Sequence, residues 1–317
     1  MQGKRLLIVG GVAGGASCAA RARRLSEEAE IVIFERGPYV SFANCGLPYH
    51  VGRVIKREES LLVATPEVFE KRFNIRVRLD TEVVRIDRGA RLLEVKDPAT
   101  GKVRCENYDW LVLSPGAQPV KPRVPGVDLA GVFTLRSIPD SRRIKDWIAQ
   151  RNARSAVVVG GGFIGLEMAE NLVKLGLQVT VVEMQPHVMP VLDPEMAVAI
   201  HDELTRHHVK LRLREALAGF EEGSGGRLVV RLASGDSEEA DLAVLAVGVR
   251  PESSLALDAG LVIGELGGIR VDERMQTSDP SIWAVGDAVE VRDVVTGLWT
   301  LLPLACLLYT SPSPRDS

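Results

Sequence analysis

Two glycine-rich turns, a glutamate at a matching offset behind each, and one isolated cysteine are the residues of this sequence that could do chemistry. The turns read Gly10-Gly-Val-Ala-Gly-Gly15 and Gly160-Gly-Gly-Phe-Ile-Gly165, and the acids are Glu35 and Glu183. In such a turn the first glycine permits the tight bend from strand to helix. The second lets backbone approach a pyrophosphate, and the third lets helix and strand pack closely. The helix that follows aims N–H groups and positive partial charge at the phosphates. An acid about 20 residues on accepts hydrogen bonds from ribose hydroxyls. The second copy fits through Gly160, Gly162 and Gly165. In the first, Val12 stands where the middle glycine belongs, ahead of Ala13, Gly14 and Gly15. Alone, that first turn could be purely structural; two copies with matching acids read as two dinucleotide sites.

Glu183 also bears on cofactor choice. A carboxylate there suits free ribose hydroxyls and repels a 2′-phosphate. Met184 and Gln185 follow it, with no arginine to receive that phosphate. NADH is expected ahead of NADPH. The cysteine is Cys45, in Ser41-Phe-Ala-Asn-Cys-Gly-Leu-Pro-Tyr49, with no second cysteine near it in sequence. A lone cysteine is more often a small buried hydrophobe than a catalyst. Just downstream of a dinucleotide turn, it suggests chemistry run by one sulfur instead of a dithiol pair.

The elements that must position these residues are βαβ units. Leu6–Val9 leads into the first turn, a helical stretch runs to about Leu25, and Ile31–Phe34 ends at Glu35. Ala156–Val159, a helix to Leu175 capped by Gly176, and Val179–Val182 ending at Glu183 repeat the plan. Two such units imply parallel sheets with helices on their faces, an α/β class of two Rossmann-like domains. Leu92–Val95 and Val103–Tyr108 around Asp97-Pro-Ala-Thr-Gly101 read as a hairpin, and further short strands are expected at Trp110–Leu113, Leu228–Leu232, Leu242–Val247, Gly268–Val271 and Ile282–Val285. The expected division is a first nucleotide domain over residues 1–120, a second inserted over 121–249, a return to the first over 250–305, and an unpatterned tail over 306–317.

Composition excludes several classes. The 317 residues are enough for two domains, and a net charge of −3 argues against a general nucleic-acid or membrane binder. The four cysteines, Cys18, Cys45, Cys105 and Cys306, show no CxxC or CxxH spacing, so neither a disulfide framework nor a metal site is expected. The apolar run at the N-terminus is too short for a signal-peptide core, and no apolar stretch matches a bilayer. The expectation is a soluble, cytoplasmic protein.

With both turns, Thr277-Ser-Asp-Pro-Ser-Ile-Trp-Ala-Val-Gly-Asp287 and the Cys45 segment in view, the chain resembles the FAD-dependent pyridine nucleotide–disulfide oxidoreductases. Within them it looks most like the single-cysteine branch of coenzyme A-disulfide and persulfide reductases. The resemblance runs from about Lys4 to Ala305 and implies an FAD domain interrupted by an NAD(H) domain, with β-meander segments. By that resemblance Gly10 to Gly15 and Glu35 hold the ADP half of FAD, and Ser114, Pro115 and Gly116 form a second flavin-contacting turn. Gly286 lets backbone come close while Asp287 bonds the ribityl chain; from residue type alone, Asp287 could equally be a turn cap. Gly160, Gly162, Ile164, Gly165 and Glu183 bind NADH, Phe163 gates the nicotinamide, and Glu167 falls where the family keeps a glutamate near it.

The resemblance further implies that Cys45 is catalytic, with Ser41 and Asn44 orienting it, and that electrons pass from NADH through flavin to a coenzyme A disulfide or a persulfide. Ala13 stands where peroxidase and oxidase relatives carry a histidine, which favours a mixed disulfide over a sulfenic acid. Ser17, Arg21 and Arg24, spaced i, i+4 and i+7, share one helix face, with Arg23 adding charge. With Arg72 they would bind coenzyme A phosphates, which guanidinium groups suit. A solvated basic face is the plainer reading. An NADH oxidase or peroxidase, or a flavin-bound NADH sensor without turnover, are the alternatives. Family members are homodimers through a C-terminal domain; here the unpatterned segment from Cys306 stands where that domain is expected, and it reads as foreign sequence behind a truncated product.

Overall fold

A computed structural model describes residues 3–303. The tail over residues 306–317, Cys306 included, lies outside them. The chain folds as two compact units. One comprises the described residues up to Ala43, then Leu62–Gln118 and those from Arg250 onward; the other comprises Asn44–Leu61 and Pro119–Val249. The α-helices, among the described residues, are α1 (Ala13–Leu25), α2 (Leu47–Val51), α3 (Pro66–Phe73), α4 (Ile138–Arg151), α5 (Phe163–Lys174), α6 (Pro194–Arg206) and α7 (Ser254–Asp258). No helix among these residues is long and apolar enough to cross a membrane.

The first unit is built on a five-stranded parallel sheet in the order Ile282–Ala284, Trp110–Leu113, Arg5–Val9, Glu30–Phe34, Arg76–Arg78. Parallel sheets are covered on both faces, so their strands read as unbroken apolar runs. Leu7 and Val9, with Val32, Phe34, Leu111 and Leu113, pack toward residues of a three-stranded meander such as Val83, Ile86, Leu93 and Val95. Leu6, Ile8, Ile31, Ile33 and Val112 face the other way, onto Ala16 and Ala19 of α1 and Phe69 of α3. The Asp97–Gly101 turn joins two strands of that meander, paired from Leu92↔Asn107 to Lys96↔Val103.

The second unit repeats the plan. Its parallel sheet has the order Lys210–Leu213, Gln178–Glu183, Ser155–Val159, Leu242–Leu245, Val132–Thr134, and a meander of Leu217–Glu222, Leu228–Leu232 and Ser237–Ala240 lies over Val157, Val159 and Val182. Helix α4 starts at a capping box, in which Ser137 and Asp140 satisfy each other's backbone N–H groups. Helix α5 ends at Lys174, and Gly176 takes a positive φ of 84° behind it. Several expected strands are shorter than read from the sequence. Leu242–Leu245 stops where Ala246 passes over the second glycine turn, and Gly268–Val271 contracts to Ile269–Arg270, which pairs with Val289–Arg292 while Ile269 also bridges Ile263.

Segment Asn44–Leu61 groups with the second unit, although in sequence it lies inside the stretch expected to belong to the first domain. The reason is packing: α2 sits against α4 and α5.

Arg23 is the other departure. Its guanidinium donates to the carbonyls of Ser26, Glu27, Ala29, Phe73 and Asn74 at 2.5–3.0 Å, and the residue is 9% exposed. It ties the end of α1 to the end of α3 and has no capacity left for a ligand. Replacing it leaves one buried carbonyl, that of Ala29, and four part-buried ones without this donor, so Arg23→Met should cost about 3 kcal/mol of stability, read as a shifted denaturation midpoint.

Candidate functional site

Both glycine turns sit at the C-terminal edge of their sheet's central strand, the place where open α/β sheets bind ligands. They are braced alike. Glu35 accepts from the Gly11 N–H at 2.8 Å and from Gly37 at 2.9 Å; Glu183 accepts from Gly161 at 2.6 Å and from Gln185 at 2.8 Å. Both acids are buried. The sequence reading assigned them to ribose alone, and it missed this second task. A carboxylate offers about four acceptor positions, so Glu183 retains capacity for ribose hydroxyls after two backbone bonds.

The glycines are demanded by space as much as by backbone angle. Gly10 has φ +90° and Gly160 φ +108°. A Cβ on Gly15 or Gly165 would lie 1.9 Å from the carbonyl oxygen of Gly10 or Gly160. At Gly162 a Cβ would meet nothing within 4 Å, and its φ is −82°, so the residue leaves open room at the head of α5. Val12 holds the equivalent place, φ −85°, at the head of α1. Neither helix has a side-chain cap, which leaves first-turn N–H groups for a ligand. A buried carboxylate, an uncapped helix head and a turn stripped of side chains fit a dinucleotide in each unit. Phe163 and Ile164 stand exposed at the head of α5, 56% and 38%, an apolar pair available to cover a flat ring.

In the first unit three strand ends converge on the turn. Ser114 donates its N–H to Val9 O at 2.7 Å, and Val285 donates to Leu113 O at 2.9 Å. A Cβ on Gly14 would lie 2.6 Å from Ser114 Oγ and 3.5 Å from Gly286 Cα. Gly10, Gly14, Ser114, Pro115, Gly116 and Gly286 therefore form one backbone cradle, with half-buried Asp287 in the 3-10 turn Gly286–Ala288 beside it. Gly116 and Gly286 have φ of +76° and +81°, which only glycine adopts freely. Ser41 belongs to this unit too. Its φ is +46°, its N–H donates to Gly11 O at 2.9 Å, and its carbonyl accepts from Val63 at 2.7 Å. It is buried, so its backbone serves the first turn.

Cys45 is exposed, in the 3-10 turn Asn44–Gly46 that opens into α2. The Asn44 Oδ1 atom is buried without a hydrogen-bond partner. Along α2 and against α5, Tyr49 lies among Glu167, Glu170, Lys174 and Cys45; burial, then the two glutamates, push its hydroxyl above the ordinary tyrosine value. Burial and Glu170 likewise hold Glu167 above the usual carboxylate range, which gives the head of α5 a carboxyl that keeps its proton to higher pH. Gly52, ending α2, has no room for a methyl: a Cβ there would lie 2.3 Å from Asn171 Oδ1. Tyr49, Gly52 and Asn171 escaped the sequence reading, because only packing between α2 and α5 makes them neighbours.

Of the phosphate-binding candidates, Arg21, Arg24 and Arg72 are exposed and in no ion pair among the described residues, and Ser17 is half-buried on the same helix as the first two. Arg24 turns back to the Ala20 carbonyl at 3.4 Å. Arg23 is removed from that group by its buried carbonyl bonds.

Residues 4–303 match the family model described as pyridine nucleotide-disulphide oxidoreductase. The chain is 35% identical over 302 residues to the coenzyme A disulfide reductase of Staphylococcus haemolyticus, covering 95% of this chain and 67% of that protein. It is 38% identical over 303 residues to the NAD(P)H sulfur oxidoreductase (CoA-dependent) of Pyrococcus abyssi, covering 95% and 66%. The crystal structure of reduced Bacillus anthracis CoADR-RHD superposes with a TM-score of 0.94 at 49% identity, over 97% of this chain and 55% of the other. The chain thus spans about two thirds of these curated relatives and just over half of that solved chain.

The crowding at Gly15 and Gly165 separates the two sites experimentally. Gly165→Ala should weaken NADH binding at least about tenfold while retaining FAD, and Gly15→Ala should lower FAD content, since each added methyl displaces one turn. NADH fluorescence titration and flavin absorbance of the purified variants read the two effects.

Proposed function

The chain belongs to the pyridine nucleotide-disulphide oxidoreductase family, and we propose that it works as an NAD(P)H-dependent flavoprotein that delivers electrons through FAD to Cys45, where coenzyme A disulfide, a persulfide or a polysulfide is reduced. The observation that carries this reading is the duplicated turn braced by a buried glutamate. A chain with two such sites is equipped to hold two dinucleotides, and Cys45 supplies an exposed sulfur to receive electrons.

FAD, when bound, supplies the two-electron chemistry that links a nicotinamide to a disulfide. The rest falls to residues of this chain. Glu35 and Glu183 hold their turns and take ribose hydroxyls; Phe163 and Ile164 cover the nicotinamide from the head of α5. The Cys45 thiolate attacks one sulfur of RS–SR, forming Cys45–S–SR and expelling RS⁻, which takes a proton. The electron pair from NADH then breaks the new bond, returning the Cys45 thiolate and releasing the second thiol. The sum is NADH + H⁺ + RSSR → NAD⁺ + 2 RSH. Arg21, Arg24 and Arg72 are exposed cations for the phosphates of a coenzyme A substrate. Glu183, with no cation beside it in sequence, favours NADH over NADPH. Asn44, with its buried acceptor, orients the sulfur. By resemblance, relatives that carry the C-terminal domain are homodimers.

Ala13 beside the first turn leaves no imidazole there for a sulfenic-acid cycle, which sets the oxidase reading second. Cys45→Ser should abolish NADH oxidation driven by coenzyme A disulfide, a loss of at least about a hundredfold. Reduction of a dye that takes electrons directly from flavin should persist. Disulfide-driven turnover that survives the substitution would show that Cys45 does not carry the reaction; loss of oxygen-driven turnover alone would favour the oxidase.

A further inference from the structure

His50, one turn beyond Cys45, carries an unassigned role. It is 2% exposed, and both ring nitrogens are engaged by α4. Nδ1 lies 2.9 Å from Ser141 Oγ, and Nε2 lies 2.9 Å from Lys145 Nζ. The Ser141 hydroxyl donates its single proton to Ile138 O at 2.8 Å, so its oxygen accepts from His50 Nδ1–H. That leaves a lone pair on Nε2, which accepts a hydrogen bond from the Lys145 ammonium. The ring is neutral and its tautomer is set by its partners.

We propose that His50 is the positioning residue for Cys45: in its neutral form it anchors α2 to α4, and its protonation releases the segment that presents the sulfur. Protonated, Nε2 would turn an N–H toward an ammonium 2.9 Å away, with no acceptor between them. Burial and Lys145, opposed by Glu58 and reinforced by Arg142, depress the ring's pKa below its ordinary value. Around Lys145 stand Arg53, Glu58 and Asp146, and across α2 the side of α5 presents Glu167, Glu170 and Lys174 to Tyr49. Among the described residues the ring's hydrogen bonds go to the serine and the lysine, with Glu58 and Arg142 acting on it through space.

Two neighbours make the anchor matter. The packing of Gly52 on Asn171 seats the far end of α2 on α5, and that contact has no polar bond to hold it: Asn171 Nδ2 donates to Glu167 O at 2.8 Å, while its Oδ1 has no partner. Within the five residues of α2, His50 makes the side-chain hydrogen bonds to α4; further along the segment, Arg142 of α4 holds Glu58 at 2.6 Å. The sign follows from the depressed pKa. The anchor is at full strength above pH 6.5, the ordinary histidine value, and weakens as the pH falls below it toward the site's lower value.

The consequence for turnover rests on the reading of Cys45 as the working sulfur; the anchor does not. Amide hydrogen exchange of residues 44–52, corrected for intrinsic chemical rates, tests the anchor between pH 8 and 5. Protection in the wild-type chain should fall about tenfold or more below pH 6.5 while the core strand Gln178–Glu183 stays protected. His50→Gln, which keeps a donor and an acceptor but does not titrate, should show no such limb. A flat wild-type profile overturns the anchor, as does a limb shared by the core strand or retained in His50→Gln. The ratio of disulfide-driven to dye-driven NADH oxidation, followed over the same range, then tests positioning. A ratio that falls with the exchange limb supports it, and one that stays level while α2 loosens overturns it. Absence of disulfide turnover at every pH, with the exchange limb intact, would sink the catalytic reading of Cys45 and leave the anchor standing.

Discussion

A carboxylate bonded to the first N–H inside a glycine turn is the constraint on which both halves of this molecule depend. The turn must carry almost no side chains, because backbone has to reach a pyrophosphate and helix has to meet strand. A loop so stripped has little of its own to hold it. Glu35 and Glu183 supply what the glycines cannot: each reaches back from the end of the neighbouring strand and fixes the turn to the sheet. The ligand-binding acid is thereby also a structural part, and removal would loosen the loop as well as cost a ribose contact.

Much of the fold was legible because its signals are local. Aliphatic runs such as Leu6–Val9 and Val179–Val182 announce strands buried on both faces, and the glycine turns announce where helix follows strand. The paired glutamates and the strand that returns at Ile282 could be placed from spacing. What could not be read is what depends on side chains meeting across distant sequence. Arg23 lies on the same helix as Arg21 and Arg24 and carries the same charge, yet it is sunk against five carbonyls while its neighbours face solvent. Burial, which no charge pattern reports, decides between clamp and ligand.

The segment around Cys45 shows the same limit more sharply. Its residue types mark it as a place of chemistry, but its spatial allegiance is to α4 and α5, from parts of the chain more than ninety residues later. Nothing in Leu47-Pro-Tyr-His-Val51 says which of its side chains are spent on that docking. Ser141 and Lys145 look like ordinary residues of an amphipathic helix, and their i, i+4 spacing acquires meaning only when a histidine is found between them.

The two sheets share one strand order but not one order of synthesis. In the second unit the outer strand, Val132–Thr134, precedes the rest, so all five strands exist once Leu245 has been made. In the first unit the equivalent strand, Ile282–Ala284, comes last, after the whole of the other unit. Trp110–Leu113 must therefore wait as an open sheet edge through the making of more than a hundred residues, and open edges invite pairing with other chains. The cradle of Gly10, Gly14 and Ser114 waits with it for Gly286. On a ribosome, the later-encoded unit is the first that can close, and the site at the N-terminus is the last to be finished.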